Sequence, residues 1–309
     1  MDLRTLREMV AWLSQQPVAL PENWSPLSIA AEFEARVDPR SERRVAGQPG
    51  NVAVIPVCGV IIPKANFYEV LGLATSVQTI GLQMRAAIED PAIKAVVMDV
   101  NSPGGIVSGV TELANELRGM RGRKPIVAQA DHLMASAAYW IASSADEIVA
   151  SPGAAVGSVG VYGMHVDQSG LLDQMGLKVT MIADPAEKAE GNAFEPLSAD
   201  AADHMRKMIA YHRALFRADV AAGRGIAPSD VADNWARVYT PPEAKAMNMI
   251  NKVRSMAETL AAYGISRASA QGAGRAEVDG KVSRQRAQAV RQAQLDAVQA
   301  EFRALGVCV

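Results

Sequence analysis

Between Asn51 and Ile265 short β-branched runs alternate with segments of helical period. NVAVIPVCGVI is followed by the helical TSVQTIGLQMRAAIED, then by the run KAVVMDV, the helical VSGVTELANELRGM and the run KPIVAQA. Further on, ADEIVASP and KVTMIAD read as strands. SADAADHMRKMIAYHRALFRADVAAGRG reads as one long helix, with Ser198 at its N-cap and Gly225 at its end. A chain that alternates strands and helices in this way has few options: an α/β fold with a largely parallel sheet.

The flanks differ from this body. Residues 1–46 read as a helical segment, with Leu3, Leu6, Met9, Val10 and Leu13 at helical spacing, and end in the charged stretch VDPRSERRVAGQPGN. After Ile265 the small, polar, Gly-rich SRASAQGAGRAEVDGK is a flexible linker by composition. It leads to a tail rich in Gln, Ala and Arg, in which Leu295, Val298, Phe302 and Leu305 form one helical face. The expected division is therefore 1–46, a body at 47–265, and a linker and helical tail at 266–309.

Charge and cysteine content remove several classes. A net charge of −2 provides no global field toward nucleic acid or an anionic membrane, and no nucleic-acid partner is expected. Cys58 and Cys308 make neither a disulfide framework nor a metal-ligand spacing, so no metal or other cofactor is expected and a reducing cytoplasm is the default. The N-terminus has the pattern of an amphipathic helix instead of a signal peptide, and no run has the length of a membrane span.

Three segments hold candidate chemistry. Asn101-Ser102-Pro103-Gly104-Gly105 follows a strand and precedes a helix, and paired glycines there let backbone N–H groups approach a developing oxyanion. The same residues also suit a tight strand-to-helix turn. Ser136, in ASAAYW, falls at a strand-to-helix junction with small neighbours, where it is either a nucleophile or an N-cap. A nucleophilic serine needs a base. His132, His165, His204 and His212 have no acidic partner selected by sequence. Between Lys124 and Lys207 only Lys178 and Lys188 occur; Lys178 opens a strand and Lys188 sits in the loop ADPAEKAEGN. As a base Lys188 must be neutral, which burial in an apolar site achieves, whereas an ordinary loop lysine is an exposed charge.

Taken together, in order, VAVIPVCGVI, NSPGG, ASAAYW, ADEIVASPGAAVGSVGVYG and EKAEGNAFEPLS resemble the signal-peptide-peptidase A (S49) family of serine peptidases over about residues 50–255. The resemblance implies a Clp protease/crotonase-like fold of repeated β-β-α units. It also implies a Ser136–Lys188 dyad, whose 52-residue separation fits single-domain members. By the same carry-over Ser158, in VGSVG, orients the lysine amine, while Gly104 or Gly105 and the N–H of Ala137 form the oxyanion hole. The chain departs from the family in having Asp184-Pro185 and Glu187 just before Lys188, where Gly and His are frequent. A carboxylate aimed at Lys188 would favour its charged form.

Within the family the likeness is greatest to phage head-maturation proteases, in the run GRKPIVAQADHLMASAAYWIASSADEIVA and in the scaffold-like tail. This implies an endopeptidase acting on scaffold or capsid proteins, with self-cleavage as a further outcome, working as a homo-oligomer in the host cytoplasm inside an immature capsid. Two other classes stay open. A crotonase-like acyl-CoA enzyme would share the fold and need neither Ser136 nor Lys188, and a non-enzymatic scaffold protein would assemble without cleaving.

Overall fold

Most of the β-branched runs find a neighbour to pair with, and the result is one mostly parallel sheet. The structure, a computed structural model, describes residues 52–70 and 72–263. The N-terminal helical segment and the linker and tail predicted from sequence lie outside the described residues.

The strands are β1 (Val52–Ile62), β2 (Ala74–Ser76), β3 (Ala95–Gly105), β4 (Ile126–Ala135), β5 (Glu147–Ala150), β6 (Ala155–Gly157), β7 (Val238–Tyr239) and β8 (Lys252–Val253). They are ordered β2-β1-β3-β4-β5-β8, all parallel. β4 is shared: its first half pairs with β5, while Leu133, Met134 and Ala135 pair with β6, which in turn pairs antiparallel with β7. The helices are α1 (Val77–Glu89), α2 (Val110–Met120), α3 (Ala137–Ala142), α4 (Ser169–Gln174), α5 (Ala199–Arg224), α6 (Pro241–Ala246) and α7 (Met256–Ala262). The order opens with β1, a four-residue helical turn at Phe67–Val70, β2 and α1, then proceeds by single β-α steps through α3.

Alternation along the strands sorts the core into two faces. Ile55, Val57, Val96, Met98, Val100, Ile126 and Ala128 point into the main core beneath the helices. Val52, Ala95, Val97, Val127 and Val149 point the other way, against Met256, Leu260 and Tyr263 of α7 and the residue after it. Gln129, also on that second face, is fully buried. Its amide donates to Ser151 and to the Arg254 carbonyl, and its oxygen accepts from Thr259 of α7 at 2.7 Å. A buried amide without those partners would cost a few kcal/mol, so they fix where α7 lies.

Two sequence expectations are corrected. NSPGG is not a loop after the strand: it is the end of β3 itself, paired to β1 through Gly104 and Gly105 after a register shift at Cys58–Val60. KVTMIAD forms no strand: residues 177–183 carry no regular structure, because the segment has left the sheet and has no neighbouring strand to bond. The long helix is as expected, with Ser198 accepting from Ala201 N–H at its start and Gly225 in the left-handed region at its end.

Between β6 and α5 the chain projects as an arm. No residue from Val161 to Ser198 is buried, and two bonds tie its outgoing and returning legs together: Gln168 N–H to Ala193 O and His165 Nε2 to Asn192 O, each 2.8 Å.

Candidate active site

β4 and β6 run side by side and end in register at Ala135 and Gly157, so the next residue on each, Ser136 and Ser158, emerge together at the sheet edge. Ser136 N–H donates to Gly157 O at 2.9 Å, and Ser158 N–H donates to Arg237 O at 2.7 Å. Both serines have positive φ, 53° for Ser136 and 58° for Ser158. Side chains other than Gly, Asn and Asp avoid this region, at a cost of about 1–3 kcal/mol each where the surroundings impose it.

Ser136 stands at the start of α3 but does not cap it: its side chain accepts no hydrogen bond from the helix. The N-cap role therefore does not apply, and its half-buried hydroxyl stays available at the junction. Its carbonyl accepts from Trp140 N–H at 2.9 Å, the first bond of the helix.

Gly104 backs directly onto this serine. A Cβ built on Gly104, whose φ is +94°, would lie 2.6 Å from Ser136 Cβ and 2.8 Å from both Ala135 O and Ala137 N. Only glycine fits such an approach. The segment is held by the buried Ser102, whose hydroxyl donates to Gly59 O at 2.6 Å and accepts Gly104 N–H at 3.1 Å. The Gly104 amide is thus engaged within its own loop. Gly105 lies against β1, where a Cβ would collide with the Ile61 backbone. Ser136, Ala137, Gly104 and Ser158 are therefore brought together, with Gly105 next to them.

Lys188 is not part of this cluster. It is exposed on a 3-10 turn, Ala186–Ala189, in the arm, and no hydrogen bond joins it to Ser136 or Ser158. Two cavities, about 120 Å³ beside His165, Asn192 and Ser198 and about 360 Å³ between α1 and α2, are lined by none of the six predicted site residues. His132 lies at the outer end of β4, 3.3 Å from Asp131, and makes no bond to Ser136.

Sequence reading missed three contributors: Ser102, which holds the glycine loop; Arg237, whose carbonyl holds Ser158; and Asp219 of α5, which accepts from Trp140 Nε1 at 2.8 Å. The last left a signal, a lone carboxylate in the apolar stripe of Phe216, Val220 and Gly223. Among the described residues no group of His, Cys, Asp and Glu is arranged to hold a metal, and no helix is long and apolar enough to cross a membrane.

Comparison with known proteins follows the same segment of chain. The capsid assembly protease C of Escherichia phage lambda is 28% identical over 206 residues, which is 67% of this chain and 47% of that protein. The head-tail preconnector protein GP5 of Enterobacteria phage P21 is 28% identical over 233 residues, 75% of this chain and 46% of that protein. The chain thus spans about half the length of these curated relatives. Among solved structures, a membrane-bound stomatin-specific protease aligns over 69% of this chain and 83% of its own, at 15% identity and a TM-score of 0.44. The family model described as peptidase family S49 matches residues 119–266, the stretch from the end of α2 past α7 that includes Ser136, Ser158 and Lys188. Over those residues the chain is similar to peptidase family S49.

Proposed function

We propose that this chain is a serine endopeptidase in which Ser136 is the nucleophile and Lys188 its base, acting on scaffold or capsid proteins, and on itself, during phage head maturation. One observation carries the reading: an uncapped serine with positive φ at a strand-to-helix junction, with a glycine packed on its Cβ and a second serine beside it. The family match and the two phage relatives, one of them named a capsid assembly protease, support it.

In this mechanism the neutral Lys188 amine takes the proton of Ser136 Oγ as the oxygen attacks a peptide carbonyl. The N–H groups of Ala137 and of the glycine loop stabilise the tetrahedral oxyanion. Since the Gly104 amide is engaged by Ser102, Gly105 is the better loop donor. The intermediate expels the amine leaving group, which receives the proton from Lys188, and water then hydrolyses the acyl-enzyme. Ser158 orients the lysine amine.

In the single chain Lys188 is exposed and apart from Ser136, so the dyad has to form when the arm is covered. A second copy of the chain is the partner we assign to that arm, which makes the working enzyme a homo-oligomer.

The test is intact-mass spectrometry of wild type, Ser136→Ala and Lys188→Ala, each alone and with an unfolded or scaffold-like protein. Wild type cleaves and both variants lose cleavage, Lys188→Ala by about 10²- to 10⁴-fold as befits a general base. Cleavage that persists in Ser136→Ala would overturn Ser136 as the nucleophile. Intact substrate with all three proteins, in assembled form, would leave a scaffold role.

A further inference from the structure

Six residues is a short helix, and everything α3 does at its far end is felt at Ser136. The Ser136 carbonyl accepts the Trp140 amide, so the turn that sets the serine's backbone is closed by Trp140 itself. The position of that residue is determined from outside α3. Both directional contacts of its indole come from α5: Phe216 stacks on its face, 4.3 Å between centroids and 6° between planes, and Asp219 Oδ2 accepts from Nε1 at 2.8 Å.

Asp219 is buried, and α2 holds its carboxylate still. Arg118 Nη2 donates to Oδ1 at 2.7 Å, and Thr111 Oγ1 donates to Oδ2 at 3.0 Å. A buried carboxylate with three side-chain donors has one orientation available, and it passes that orientation to the indole. α5 meanwhile has its other end at the root of the arm, from which Lys188 is carried. One rigid element thus reaches from the arm to the helix that begins at Ser136.

We propose that Asp219 and Trp140 are positioning residues, through which the seating of α5 sets the backbone geometry of the Ser136 turn. The inference rests on Ser136 being the group that is acylated. It adds that the nucleophile's reactivity depends on one indole N–H bond a single turn along α3, and that whatever seats the arm also aligns the serine.

Two variants separate positioning from simple core packing. Trp140→Phe removes the N–H and keeps an aromatic ring on Phe216. Val127→Ala opens a cavity in the core on the other face of the sheet and touches neither Trp140 nor Asp219. Both lower the thermal midpoint of the full-length chain. The informative readout is the second-order rate at which a fluorophosphonate probe labels Ser136, its Oγ displacing fluoride from phosphorus, followed by mass. Trp140→Phe is expected to slow labelling by about tenfold, from losing one hydrogen bond to a charged acceptor. Val127→Ala should label at the wild-type rate despite its lower midpoint.

If labelling in the two variants falls together in proportion to stability, or stays unchanged in both, Trp140 and Asp219 are ordinary core contacts and the inference is overturned, while labelling of wild type still upholds the serine reading. A folded wild type that is never labelled at Ser136 overturns the serine reading and this inference with it.

Discussion

Ser136 is held at φ 53° and ψ −127°, a conformation the rest of the molecule has to impose. The closest constraint is Gly104. Since a Cβ there would meet Ser136 Cβ at 2.6 Å and backbone atoms at 2.8 Å, Gly104→Ala must push the serine turn and β3 apart. We expect it to destabilise the fold by about 1–3 kcal/mol and to abolish labelling of Ser136, read by thermal melting beside probe incorporation. Asp99 is a different case. Burial raises its carboxyl above the ordinary value of 3.8, the neighbouring Asp131 raises it further, and His132 offsets part of this. The folded state therefore binds the Asp99 proton more tightly than the unfolded chain, and stability is lost as pH rises through the raised value. Asp99→Asn is expected to raise the melting temperature near pH 7 and to give no gain near pH 3, where the native carboxyl is already protonated in both states. An equal gain at both pH values would mean that charge at Asp99 is not the cause.

At the scale of elements, what the sequence could reveal depended on whether a pattern and its cause were both local. α1, α2 and α5 were legible because amphipathic period and a terminal signal coincide within each, as in Ser198 and Gly225 bounding α5. The same is true of β1, β3, β4 and β5, whose β-branched runs are buried on the sheet. Val179, Thr180 and Ile182 sent the same β signal from the arm and formed no strand, since a ladder needs a neighbour and sequence does not say which segments leave the sheet. β7 and β8, at two residues each, are too short to carry any period. The site was legible to a similar degree. Ser136 and the glycine pair stood out as a serine at a junction and as adjacent glycines. That Ser158 would emerge beside Ser136 follows only from the pairing of Ala135 with Gly157 across the sheet, a non-local fact. Asp219 entered the picture only because α5 packs its apolar stripe on α3.

At the scale of the whole molecule, the described residues divide between a well-buried sheet and an arm, 161–198, in which no residue is fully buried. Ile182 is 94% exposed, Tyr162 88% and Met164 76%, and Leu171, Met175 and Leu177 are exposed along with them. Met208 and Tyr211 extend the same apolar character onto the first half of α5. Scattered exposed apolar side chains are ordinary, but this many on one projecting segment are what the proposed assembly would cover. At roughly 25 cal/mol per Å² of apolar surface removed from water, covering them is a large driving force for association. A second copy of the chain fits as the occupant because the same arm carries Lys188, which burial would shift toward the neutral form that a base requires. Assembly and activity should then fail together. Replacing Tyr162 and Ile182 by Asp in one variant is expected to reduce the sedimentation coefficient from that of an oligomer to that of a single chain, and to abolish substrate cleavage while leaving the melting temperature of the body near wild type. Ser136→Ala, by contrast, should lose cleavage and still assemble. If the double variant sediments as the wild type does, the arm is not the interface. If it becomes a single chain that still cleaves, Lys188 needs no partner to act, and the exposed position it has in one chain is compatible with catalysis.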